Sequence, residues 1–236
     1  VNTGEIKAMA TLGSYDPNNY LEIYDDTTAL LLENERAAAL ALPEASAAYE
    51  AAIETYKQDV AAARMAQWRN RCVSDGYEPG STFKLITLAS ALDSGAVTLN
   101  DSFYCGGQEK FTGREQILNC WKSAGHGAQT TAQALGNSCN IAFGHIGLRM
   151  GGDTFYDYLK SFGVMEKTGV DLPGEASGLF YERKYLNDPA NYGTSYLITS
   201  SFGQSFRITP MQLVRAVAAI VNGGYVLEPY IVSEVV

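Results

Sequence analysis

Apolar positions along the chain fall into stretches of different period, and together they predict a helical body with small extended pieces. Positions 85–92 are apolar almost without interruption, which predicts a helix over about 81–93 buried on all sides and stopped at Gly95. Thr209 and Pro210 have the character of an N-cap and a first helical residue, and Val214, Val217 and Ile220 carry that helix to the stop at Asn222-Gly223-Gly224. Asp153-Thr154 opens a shorter helix ending at Gly163, and two helical segments, 131–135 and 141–150, are separated by a break. Residues 27–71 differ in kind: they are rich in Ala and Glu, carry Pro43 where a helix can begin, and repeat Tyr49, Ile53, Tyr56 and Val60 at helical spacing. This predicts two helices. They serve either as a partner-binding surface or, the plainer reading, as a flap packed on the protein's own edge. Residues 5–11 read as a strand after the Thr3-Gly4 turn, followed by a loop over 13–19. The tail 225–236, rich in Val, Ile and Tyr, reads as the first strand of a sheet that the chain does not finish.

Composition narrows the function classes. With 236 residues, 46% hydrophobic and 18% charged, the chain can bury the core of one large domain. A net charge of −9 argues against nucleic acid as a partner, because a phosphate-binding face needs concentrated Lys and Arg. No run of eighteen apolar residues and no signal peptide is present. Four cysteines are too few for a disulfide scaffold. Cys105 and Cys120 flank a segment that reads as strand, turn and return strand, so a bridge between them and two free buried thiols both stand open. Cys139 reads as a small core residue. His126 and His145 have no partner pattern for a metal, so neither a metal site nor a cofactor is expected.

The candidate chemistry lies in Tyr77-Glu78-Pro79-Gly80-Ser81-Thr82-Phe83-Lys84. It places a serine at a helix N-terminus and a lysine three residues on, on the same face. Burial among Phe83, Leu85, Ile86 and Leu88 would lower the lysine pKa, so that a hydroxyl without a histidine partner can be deprotonated near neutral pH. Alone, the pattern also fits an exposed cap with a snorkelling lysine. A second element, Ser138-Cys139-Asn140, lies in the break between two helical segments. It offers a hydroxyl to relay a proton and a carboxamide to hold a substrate amide.

With both elements in place, the chain resembles the transpeptidase domain of penicillin-binding proteins, in particular the monofunctional class B, sporulation- and division-like branch. The resemblance runs in family order through Thr3 to Met9, Asp16-Pro17-Asn18, Trp68-Arg69-Asn70-Arg71, the nucleophile segment and Gly125-His126-Gly127. It continues through Thr168-Gly169-Val170-Asp171-Leu172-Pro173-Gly174-Glu175 and Gly203-Gln204, and ends at Thr209-Pro210-Met211-Gln212-Leu213. It implies an α+β fold of the penicillin-binding transpeptidase and β-lactamase type: a helical body, a buried nucleophile helix and an antiparallel sheet that is incomplete here. In those terms residues 1–236 are a partial transpeptidase domain with a helical insertion at about 27–71. The family's Lys-Thr/Ser-Gly element is expected beyond Val236, and Lys167-Thr168-Gly169 is read as a decoy. Without that element, the segment alone is expected to acylate poorly. Where relatives follow Gly-Gln with glycine, Ser205 reads as a less demanding backbone angle.

The implied activity is D,D-transpeptidation of peptidoglycan pentapeptide stems, with Ser81 as nucleophile, Lys84 as base, Ser138 as proton relay and Asn140 as substrate holder. β-Lactam antibiotics would acylate Ser81, and an oxidising compartment would permit a disulfide. The implied location is the extracytoplasmic face of the bacterial membrane, anchored by a segment outside this sequence, with other wall-synthesis proteins as partners. A non-catalytic β-lactam sensor or assembly scaffold of the same fold is the alternative, and a hydrolytic β-lactamase is a third reading.

Overall fold

The computed structural model describes residues 1–188 and 192–234. They form two compact units, one of 9–71 and one of 1–8 with 72–236.

The first unit is built on two helices, α1 (Asp26–Leu40) and α2 (Ala47–Trp68). Asp25 caps α1 by accepting the Thr28 N–H, and Ser46 caps α2 by accepting the Tyr49 N–H, so α2 starts at Ala47, four residues after Pro43 rather than at it. The two helices pack on one another. Yet α2 has no buried residue and α1 only Ala39, so the predicted stripe is half-buried. The end of α2 ties down the preceding loop: Trp68 Nε1 donates to Tyr20 O (2.9 Å), Gln67 Nε2 to Glu22 O (2.6 Å) and Arg64 Nε to Leu21 O (2.7 Å).

A four-residue helix, α3 (Arg71–Ser74), leads into the second unit. There α4 (Lys84–Asp93) is preceded by a 3₁₀ turn over Gly80–Phe83. Strands β1 (Ser102–Cys105) and β4 (Gly127–Thr130) pair antiparallel, as do the two-residue β2 (Gln108–Glu109) and β3 (Leu118–Asn119). Next come α5 (Thr131–Gly136), α6 (Asn140–Met150), α7 (Gly152–Ser161), the short α8 (Arg183–Leu186), α9 (Gly193–Ser200) and α10 (Pro210–Val221). The fold is thus α+β, mostly helical with small antiparallel sheets. Thr209 and Gln212 close a capping box at the start of α10, with Pro210 at the first helical position as its sequence suggests.

Helix α6 packs against α4, α7, α9 and β1 around a core that includes Phe83, Ile86, Ile141, Phe143, Ile146, Phe155, Leu159 and Ile198. Full burial of each such side chain contributes about 1.5–3 kcal/mol. Gly147 permits the close approach of α6 to α9, since a Cβ there would sit 2.8 Å from Ser201 Cβ.

Three expectations need correction. Helix α4 is not buried all round: Leu85 is 37% exposed, and the face it shares with Thr82 meets solvent. The strands predicted at 5–11 and 225–236 reduce to a single parallel bridge between Glu5 and Tyr230. The reason lies in the donors that would extend the ladder: the Ile231 and Val232 N–H groups are taken by the Asp171 carboxylate, each at 2.8 Å. Residues 235 and 236 of the tail lie outside the described residues. Finally, Ser205 has φ +69°, inside the left-handed region, so its backbone angle is demanding rather than relaxed.

Candidate active site

The nucleophile turn is a 3₁₀ turn, and this explains the contact made by its two reactive residues. In 3₁₀ geometry side chains at i and i+3 eclipse, which brings Ser81 Oγ to 3.0 Å from Lys84 Nζ. Ser81 is exposed, whereas Lys84 is only 1% exposed and lies near the rings of Phe143 and Phe202. The turn is held from the other side by Gly203, which accepts the Gly80 N–H at 2.9 Å. Gly203 has φ +84°, and a Cβ there would fall 2.1 Å from Gly80 O, so only glycine fits. Two residues on, Glu78 Oε1 accepts the Ser205 N–H at 2.8 Å, and Phe83 meets Phe206 edge-on at 4.7 Å.

The second element enters from the link between α5 and α6. Ser138 takes φ +50° and Cys139 is extended, which turns the chain so that Asn140 begins α6. Trp121 Nε1 donates to Asn137 O (3.0 Å), and Asn137 Nδ2 to Gln129 Oε1 (2.9 Å), fixing the residue before Ser138. Lys84 Nζ donates to Ser138 O at 2.9 Å and to Asn140 Oδ1 at 2.7 Å, and lies 3.0 Å from Ser138 Oγ. Ser138 Oγ in turn donates to Ser81 Oγ at 2.9 Å. All four sequence-nominated residues therefore meet.

These distances suit a neutral lysine. A carbonyl and a carboxamide oxygen can only accept, so they take two protons of the amine and leave its lone pair toward the serine hydroxyls. The oxygens around Nζ are all uncharged, and burial is the main cause that brings the Lys84 pKa down to about 8, against smaller upward pulls from the Cys120 and Cys139 thiols. With Oδ1 on the lysine, the two N–H groups of Asn140 remain for another acceptor.

Lys167-Thr168-Gly169 is engaged elsewhere. Glu175 accepts from the Thr168 N–H (2.6 Å), the Thr168 hydroxyl (2.5 Å) and the Gly169 N–H (3.1 Å), and Arg215 donates to Thr168 O (3.1 Å).

One group escaped sequence reading. Cys105, Cys120 and Cys139 are free thiols, buried together with His126 beside them. One ligand atom from each of these four lies within 4.8 Å of every other, and Cys120 Sγ is 3.7 Å from His126 Nδ1. The sequence shows no metal pattern around His126, whereas the fold sets three sulfurs beside it: two histidines are few, but three of the four donors are sulfur. The available signal was a Cys followed six residues later by a His, flanked by glycines and bracketed by two further cysteines. Burial pushes the Cys139 thiol up to about 12. Burial would raise Cys120 too, but the Lys122 and Asn140 backbone N–H groups and the two neighbouring thiols outweigh it and hold this thiol below its ordinary value. Burial, then the charges of Lys122 and Lys84, favour neutral His126, the ligating form.

Comparison with known proteins places this geometry in context. The family model described as penicillin binding protein transpeptidase domain matches residues 1–236. Stage V sporulation protein D of Bacillus subtilis is 44% identical over 167 residues, covering 70% of this chain and 25% of that protein. The peptidoglycan D,D-transpeptidase MrdA of Acinetobacter baumannii is 33% identical over 165 residues, 69% of this chain and 25% of that protein. This chain thus spans about a quarter of the length of either relative. Among solved structures, penicillin binding protein 3 of Mycobacterium tuberculosis complexed with aztreonam is similar with a TM-score of 0.61 and 27% identity, over 69% of this chain and 35% of that one.

Proposed function

The chain belongs to the penicillin-binding protein transpeptidase family, and from that premise we propose that it carries the acylation site of a serine D,D-transpeptidase that crosslinks peptidoglycan stem peptides. Ser81 Oγ attacks the carbonyl carbon of the penultimate D-alanine while its proton passes to Lys84 Nζ. The tetrahedral oxyanion is met by the Ser81 backbone N–H, one donor of an oxyanion hole. As the C–N bond breaks, the terminal D-alanine leaves as the amine, its proton delivered from Lys84 through Ser138 Oγ. The amine of a second stem then attacks the acyl-serine, forms the new amide and returns Ser81 to its hydroxyl. Asn140 Nδ2 holds a carbonyl of the donor peptide. β-Lactams enter the first step and stop there.

The observation that carries this reading is the set of contacts around Lys84: a buried amine held by two pure acceptors, with its remaining direction open to Ser81 and Ser138. No helix among the described residues is long and apolar enough to cross a membrane. The substrate is a wall polymer, so the reaction belongs on the outer face of the membrane. The helical segment at about 27–71 carries none of the four residues, and we assign it a role outside the chemistry.

The test is labelling of the full-length protein by a fluorescent penicillin. Ser81→Ala abolishes labelling and Lys84→Ala nearly does, because the nucleophile remains but its base is lost. Labelling that survives in Ser81→Ala defeats the assignment.

A further inference from the structure

We propose that Cys105, Cys120, His126 and Cys139 bind one soft divalent transition-metal ion, zinc by the donor set, and that the bound ion holds Ser138 and Asn140 in place for acylation.

The four residues come from separate points of the fold: the end of β1, the loop after β3, the residue before β4, and the link between α5 and α6. The chain between the first three has little structure of its own beyond two two-residue strands, and it folds back on itself at backbone contact distance. Cys120 N–H donates to Gly107 O (2.8 Å) and His126 N–H to Cys105 O (3.0 Å). A Cβ at Gly107 would lie 1.9 Å from Ser123 O, and one at Gly125 2.2 Å from Cys105 O. Such a segment buries few apolar side chains, and a closed metal site supplies the folding energy it lacks. Tetrahedral zinc takes thiolate at about 2.3 Å and imidazole at about 2.0–2.1 Å. Donor atoms all within 4.8 Å of one another need only small rotations to meet those lengths. Thiolate and imidazole donors exclude magnesium and calcium, which take oxygen. A disulfide accounts for the cluster less well, since one bridge uses two sulfurs and leaves the third thiol and the histidine without a role. The Ala142 N–H, 3.5 Å from Cys139 Sγ, is a backbone donor of the kind that steadies a metal-bound sulfur.

The link to catalysis is covalent and short. Cys139 is the middle residue of Ser138-Cys139-Asn140, and its sulfur accepts the Ala142 N–H at 3.5 Å in the first turn of α6. Trp121, next to Cys120, donates to Asn137 O and packs edge-on against His126 at 5.4 Å. Fixing the two sulfurs therefore fixes the backbone on both sides of Ser138. Only this second half rests on the acyl-transfer reading.

The experiment uses the full-length protein. Native mass spectrometry and elemental analysis should find one zinc per chain, with thiols slow to react until a mercurial releases the ion. Cys105→Ser, remote in sequence from the catalytic loop, should weaken zinc binding by more than about a hundredfold. If that variant does not fold, chelation of the wild-type protein followed by return of Zn²⁺ or Mg²⁺ carries the test. Stripping should lower the melting temperature and slow penicillin acylation at least about tenfold, and Zn²⁺ but not Mg²⁺ should restore both. Absence of zinc after purification together with no uptake on titration overturns the site, as does a Cys105–Cys120 or Cys120–Cys139 disulfide in the active protein. One zinc per chain with acylation unchanged on stripping overturns the coupling. Zinc-loaded protein that no penicillin acylates leaves the metal site standing and refutes the acyl-transfer reading instead.

Discussion

The pH dependence of acylation follows from the burial of Lys84. Burial disfavours the charged amine and lowers its pKa from 10.5 to about 8, so the active, neutral form gains as pH rises through that value. About one lysine in eleven is then neutral at pH 7 and about one in a hundred at pH 6, against about one in three thousand at pH 7 for an ordinary lysine. The second-order rate of acylation of the full-length protein by a fluorescent penicillin should therefore climb about tenfold per pH unit below pH 7 and level off above about 8. Rates read by stopped flow, each corrected for hydrolysis of the reagent alone, give the profile. Asn140→Asp provides the control. It puts a carboxylate where Oδ1 now sits 2.7 Å from Nζ, which favours the ammonium form and moves the inflection up by about one to three units. A rate flat between pH 6 and 8, or one that still climbs log-linearly past pH 9.5 in the native protein, would falsify the assignment of Lys84 as a base tuned by burial.

Three further substitutions probe the scaffold of the site. Ser205→Gly relieves a left-handed serine (φ +69°) at the cost of chain entropy, so the unfolding free energy should rise by up to about 1 kcal/mol in a denaturant titration; a loss of stability would mean the serine side chain is needed. Gly203→Ala sets a Cβ 2.1 Å from Gly80 O and should cost more than about 2 kcal/mol, with slower acylation as the nucleophile turn shifts; a neutral result in both assays refutes the fit. Trp121→Phe keeps a ring beside His126 but loses the N–H to Asn137 O, a bond worth about 1 kcal/mol. Acylation should slow about fivefold without loss of Ser81 labelling, and an unchanged rate would remove Trp121 from the support of Ser138.

Helices were more legible in the sequence than strands, and contacts between neighbours more than contacts between loops. Thr209, Pro210 and Gln212 announce α10 because a cap is a local agreement between residues three apart, and the Ser81–Lys84 contact was readable for the same reason. Periodicity could not place the strands at 5–11 and 225–236, since what ended them was Asp171, some 60 residues from Ile231, capturing the N–H groups a ladder would use. Ser205 misled because a side chain's identity does not report its φ; Glu78, 127 residues upstream, accepts its N–H and closes the turn. The cysteine and histidine cluster stayed hidden because its members approach only once β1, β4 and the link between α5 and α6 are assembled.

The loop at Ser138 can serve two neighbours because of its backbone. Successive side chains on non-helical chain face opposite ways, and here a left-handed Ser138 followed by an extended Cys139 sends the hydroxyl and the Asn140 carboxamide toward Lys84 while the intervening sulfur turns to the other thiols. The two faces pull against each other in charge. Lys84 needs uncharged surroundings to stay a base, and thiolates favour its protonated form. Three thiolates left bare beside the site would therefore work against the lysine, whereas a divalent ion that offsets two of their three charges, or burial that keeps them as thiols, would weaken that pull. The sulfur cluster is compatible with a neutral lysine only while most of its charge is offset, and this constraint ties the state of the four residues to the chemistry at Ser81.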